Sequence, residues 1–93
     1  MLNHSNQLKQ KAISLGASEF GNSSAKNKRF YVIYNGKKIN FGLKFGQTFI
    51  DHNDRDKQRA WKARHSKIKL KDGRFAYQVK EQPEWWSWRL LWD

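Results

Sequence analysis

Between residues 30 and 41 the chain changes from scattered polarity to tight alternation. Phe30-Tyr31-Val32-Ile33-Tyr34 and Lys37-Lys38-Ile39-Asn40-Phe41 flank Asn35-Gly36. Aromatic and β-branched residues fit a pleated strand, and Asn-Gly is the preferred two-residue hairpin turn because both central positions need positive φ. A two-residue loop fixes the register: Tyr34 opposite Lys37, Val32 opposite Ile39, Phe30 opposite Phe41. One face then carries Phe30, Val32, Ile39 and Phe41 and is predicted to be buried. The other, wetter face carries Tyr31, Ile33, Lys38 and Asn40.

The flanking patterns are weaker. Residues 1–29 are polar, with Leu8, Ala12 and Leu15 at helical spacing and Gly16 as a stop. They predict one short helix, which must dock or fray because an isolated helix of about twelve residues is marginal in water. Gly21-Asn22-Ser23-Ser24 reads as a flexible stretch, and Lys26-Asn27-Lys28-Arg29 as a basic loop. Beyond the hairpin, Gln47-Thr48-Phe49-Ile50 reads as a short strand or a loop. Asp51-His52-Asn53-Asp54 offers side-chain acceptors for the unpaired N–H groups of a helix start. The helix should run from about Asp54 to about Lys67.

At 100° per residue this helix places Arg55, Arg59, Lys62 and Ser66 on one side. Ala60, Trp61, Arg64 and Ile68 fall on the opposite side, with His65 at its margin. Trp61 is the expected dock onto the hairpin, which sets Arg64 in the middle of an apolar face. Further on, Asp72-Gly73 is a turn dipeptide, and Arg74-Phe75-Ala76-Tyr77-Gln78-Val79 alternates as a strand would. Pro83 suits the first position of a last helix, along which Trp85, Trp88 and Trp92 recur at near-helical spacing beside Trp86 and Leu90. The fold predicted is α+β. A small antiparallel sheet built on the 30–41 hairpin is packed by one basic helix, about 54–67, and a Trp-rich C-terminal segment. Residues 1–29 form a polar N-terminal segment, and residues 30–93 a single compact domain.

Composition narrows the function. The chain has 93 residues, with 19 Lys and Arg against 8 Asp and Glu, a net charge of +11. A surplus of this size implies a polyanionic partner, most often nucleic acid. Five Trp, three Tyr and six Phe are too much aromatic surface for a disordered basic tail. The absence of Cys excludes disulfides and thiolate metal sites. No apolar run reaches the length of a membrane span, and Met1 to Asn6 lacks the apolar stretch of a signal peptide.

Several of these residues, in order, resemble a small family of uncharacterised proteins encoded by large double-stranded DNA viruses and tailed phages. They are Lys26-Asn27-Lys28, Gly36-Lys37-Lys38-Ile39 with Phe41-Gly42, His52 and Asp54, Arg64-His65, and Leu90-Leu91-Trp92. The similarity runs from about Ala12 to Trp92 and is most specific from His52 to His65. The chain departs from the family at Thr48-Phe49-Ile50, where an Asp-aromatic-Thr run is usual, and at Trp61, usually Tyr. The first departure removes a carboxylate that a catalytic site would want. The resemblance implies a viral source, DNA before RNA as partner, and a place in the virion or the host-cell interior, not a secreted one.

The expected role is therefore a small, non-enzymatic viral protein that binds nucleic acid through its phosphates, without cofactor or metal. The expected contacts are Lys26, Lys28, Arg29, Arg55, Arg59 and Lys62, with Lys37, Lys38, Arg64 and His65 beside them. Tyr31 and Tyr34, next to these lysines, offer base stacking as against ordinary packing. A second reading makes the chain a virion component whose Trp85, Trp86 and Trp88 contact capsid or other virion subunits, as Trp anchors do. A third reading, a metal-dependent phosphodiesterase, draws on Asp51, His52, Asp54 and His65, but capping accounts for the aspartates more simply. A buried Arg64 must be paired, and Asp51, Asp54 or terminal carbonyls are the expected partners.

Overall fold

The computed structural model describes residues 4–43 and 48–93. The hairpin forms as predicted. Strands β2 (Lys28–Tyr34) and β3 (Lys37–Leu43) pair antiparallel, with Phe30 opposite Phe41, Val32 opposite Ile39 and Tyr34 opposite Lys37. Asn35 and Gly36 have φ of 52° and 73°, the left-handed pair that the turn demands. Phe30, Val32, Ile39 and Phe41 are all buried.

Upstream, helix α1 (His4–Ser14) docks through Leu8 and Ala12, both buried. Of the stretch Gly21 to Ser24, expected to be flexible, Gly21 and Asn22 instead end a strand and Ser23 and Ser24 follow it. Strand β1 (Glu19–Asn22) pairs with β2, Phe20 opposite Val32, giving a three-stranded antiparallel sheet in the order β1-β2-β3. Phe20 brings its ring to within 5.3 Å of Phe30 and 6.5 Å of Phe41, so apolar burial holds the strand despite its polar neighbours. The residue-30 boundary is thus bridged by backbone pairing and by a shared core. Gly21 is needed where it stands: a Cβ there would lie 2.9 Å from the Tyr31 ring.

Phe49 and Ile50 do not extend the sheet. They open a single-turn helix, α2 (Phe49–His52), in which Asp51 Oδ2 accepts from both the N–H and the hydroxyl of Thr48, each at 2.8 Å. Gln47 lies outside the described residues. Asn53 then takes a left-handed conformation, φ 55°, which ends α2 and lets Asp54 start the next helix. Helix α3 (Arg55–His65) is capped by Asp54, whose carboxylate accepts from the N–H groups of Asp56 and Lys57.

The alternation at 74–79 does not make a strand either. Lys69 and Phe75 form one isolated bridge across the Asp72-Gly73 turn. The chain then tightens into a 3₁₀ turn, Ala76–Gln78, in which Ala76 is the buried residue. Among the described residues no further strand lies beside it to accept a ladder. Helix α4 (Pro83–Leu90) carries Pro in its first turn, and its indole Trp86 is fully buried and donates to Lys80 O at 2.8 Å. The core thus lies between the sheet, α1 and α4, with α3 joined to it through Trp61 and Trp92.

Candidate functional site

Helix α3 docks on a face rotated from the predicted one. Gln58 and Trp61 are buried, whereas Ala60, Arg64 and Ile68 are exposed. Gln58 lies on this buried face: its amide donates to Trp92 O at 2.7 Å, across 34 residues of sequence, so a polar group enters the core with a partner. Trp61 is stacked by the Trp92 indole at 4.8 Å and by the His65 imidazole at 3.9 Å. Arg64 therefore needs no internal partner, and among the described residues it forms no ion pair. The expected pairing with Asp51, Asp54 or terminal carbonyls is absent there because the guanidinium is not buried.

Arg64 instead borders a cleft of about 440 Å³ where β2, β3, α3 and α4 meet. Lys28 stands two residues before Phe30, at the end of the core face, opposite Leu43, and lines the same cleft. Its other walls include Trp61, His65, Glu84, Ser87, Leu91 and Trp92. His65 Nδ1 donates to Glu84 Oε1, which occupies the cleft's carboxylate. Ser87 is buried, and among the described residues its hydroxyl has no hydrogen-bond partner.

The cations divide into two groups. Arg29 makes a two-pronged ion pair with Asp51, at 2.8 and 3.0 Å. Arg59 pairs with Asp56. Lys62 pairs with Asp93 at 2.6 Å and lies over the Trp88 ring. These three were expected on phosphates and are each met by an acid. Lys26, Lys28, Lys37, Lys38, Arg55 and Arg64 have no acidic partner among the described residues.

Nor do they share one surface. Lys28 and Lys37 mark opposite ends of β2 and its hairpin, which at about 3.3 Å per residue places them roughly 20 Å apart. Lys38 lies over the Tyr31 ring at 4.6 Å, and the Tyr31 hydroxyl donates to Glu19, an interaction that raises the phenol pKa above its ordinary value. Tyr34 packs against Trp86 and carries Lys80 over its ring. Both tyrosines are engaged within the protein.

The tryptophans expected to meet a partner behave likewise. Trp85 and Trp86 are buried and Trp88 is half-buried against Trp61 and Tyr77, because closing so small a core takes most of the available aromatic surface. Asp51, His52, Asp54 and His65 are not gathered. Asp51 holds Arg29, Asp54 caps α3, and His65 holds Glu84. His52 Nδ1 accepts from Asp54 N–H at 2.9 Å. Its Nε2 is buried without a hydrogen-bond partner among the described residues, beside the Trp92 ring. Among those residues no group of three or more His, Asp or Glu is placed to hold a metal, and no helix is long and apolar enough to cross a membrane.

What fold and site define is a small α+β protein with a cation-bordered cleft between its sheet and its last two helices. The chain belongs to a family of unknown function, DUF5754, which matches residues 18–65, from the start of β1 to the end of α3. No curated protein and no solved structure matches it. The family region contains Lys28, Thr48, Trp61, Arg64 and His65 of the cleft, and Pro83, Glu84, Ser87, Leu91 and Trp92 come from beyond it. Sequence reading named Lys28, Arg64 and His65 but missed Ser87 and Glu84 as cleft residues. Their only signal was a polar side chain on the Trp-rich helix.

Proposed function

We propose that this is a non-enzymatic nucleic-acid-binding protein that holds phosphates through cations lacking an internal acid. The observation carrying the reading is the combination of a +11 charge with only four Lys or Arg side chains ion-paired among the described residues: Arg29, Arg59, Lys62 and Arg74. The contacts are accordingly Lys26, Lys28, Arg55 and Arg64, with Lys37 and Lys38 reaching a longer strand from the hairpin tip. Arg29 and Lys62 serve the fold first, whereas the exposed Arg59–Asp56 pair holds Arg59 only weakly. A viral source, and DNA as the nucleic acid, rest on the resemblance of the basic and hairpin motifs.

Phosphate contacts release condensed counterions, so affinity must fall steeply with salt. Binding of the full chain to fluorescent duplex and single-stranded DNA, titrated with NaCl, tests the reading. It is supported by tight binding at low salt that weakens along a straight line in log K against log salt. No affinity at low salt for either strand form overturns it. For the virion-subunit alternative, Trp85 and Trp86 are buried in the core, and half-buried Trp88 is the one of its three tryptophans that keeps accessible surface.

A further inference from the structure

The cleft combines two kinds of lining. Lys28 and Arg64 supply two positive charges with no acidic partner among the described residues, and the nearby Glu84 is taken by His65. Leu43 and Pro83, both exposed, supply apolar surface, and Ser87 a hydroxyl with no partner among the described residues. Its volume, about 440 Å³, falls in the range of small-molecule sites, about 300–1,000 Å³, and is far too small for a duplex. A matching ligand is an anion with a compact, largely apolar body that also hydrogen-bonds.

We infer that the cleft binds a nucleoside monophosphate unit, its phosphate on Lys28 and Arg64 and its base against the exposed Leu43 and Pro83 side of the cleft. A phosphate monoester carries close to two negative charges at neutral pH, whereas a diester within a strand carries one. Two cations in one cleft match the former. Arg64 grips through its planar fork, and Lys28 adds a point charge. Trp61 is already stacked by His65 and Trp92, so the base packs against aliphatic surface rather than on an open aromatic platform. The choice of a nucleotide over other aromatic phosphates rests on the nucleic-acid reading above. The unit has two sources: a free nucleotide, or the phosphorylated end of a strand.

Calorimetric titration of the full chain with thymidine 5′-monophosphate, thymidine and inorganic phosphate tests the assignment. The monophosphate should bind at least tenfold more tightly than either fragment. Arg64→Ala, a change at an exposed position, should weaken it at least tenfold, and Lys28→Ala similarly. Lys9→Ala, on α1, should leave it unchanged. A single-stranded oligonucleotide preferred with a 5′-phosphate over a 5′-hydroxyl assigns the strand end. Equal affinity for the two, with monophosphate binding intact, assigns the free nucleotide. Monophosphate binding that is absent, or equal in Arg64→Ala, overturns the cleft assignment. Salt-sensitive DNA binding persisting in that case leaves the phosphate-contact reading standing, and cleft binding without DNA binding does the reverse.

Discussion

Asp51 ties three parts of the chain together. Its carboxylate receives the Thr48 N–H and hydroxyl from one side and the Arg29 guanidinium from the other. The Arg29 hydrogen bond, helped by those from Thr48 and opposed by partial burial, holds its pKa far below the ordinary carboxylate value. Because the folded pKa lies below the unfolded one, the pair stabilises the protein at pH above the unfolded value, about 3.9. That contribution fades as pH falls from there toward the folded value. Asp51→Asn should cost about 2 kcal/mol at neutral pH, the scale of a hydrogen bond to a charged group. Urea unfolding at pH 7 and near pH 2 checks this: the difference from the parent must shrink in acid. Neither the partner nor the shift was legible in the sequence, since Arg29 and Asp51 are 22 positions apart and only the end of β2 beside α2 joins them. The helix-start role of Asp54 was legible, because capping depends on neighbours three residues away, whereas Asp51 caps α2, a helix that the residues around it did not predict.

At the scale of elements, α3 shows where pattern reading succeeds and where it stops. Its start at Asp54 and its Trp61 anchor follow from local chemistry. Asp54→Ala should lower Tm by a few degrees, as loss of a cap does, with a matching loss of helical circular dichroism. Trp61→Ala removes an indole stacked by Trp92 and His65 and should cost about 3–5 kcal/mol in chemical denaturation. Trp88→Ala, at a half-buried position, should cost clearly less. The buried face of α3 was misplaced because hydrophobic periodicity counts Gln58 as polar. In the fold its amide satisfies the Trp92 carbonyl, and a paired polar group is a good core residue. The 74–79 segment fails for the opposite reason. Alternation describes a strand only where another strand can receive its hydrogen bonds, and past Phe75 the described residues provide none.

At the scale of the whole molecule, pairing matters more than the count of charges. A cation already held by an acid adds little when it meets a phosphate, because the two anions compete for it. Arg55→Ala and Arg64→Ala should each reduce the salt slope of DNA binding by about one. Arg29→Gln should move the slope less and unfold the protein at lower urea. Equal slopes in Arg64→Ala and the parent, measured by the same NaCl titration, would remove Arg64 from the contact set.

The amino-acid order alone determined the hairpin, its register and its buried face, because turn chemistry and two-residue alternation act over a few neighbouring positions. It also determined the net charge and the capped start of α3. Tertiary structure decided which cations keep their charge unmatched, which tryptophans are used up in closing the core, and that Lys28, Arg64 and Ser87 border one cleft. Apart from the local Arg59–Asp56 and Arg74–Asp72 pairs, those outcomes join residues tens of positions apart, and such distances are set by packing rather than by any local preference of the chain.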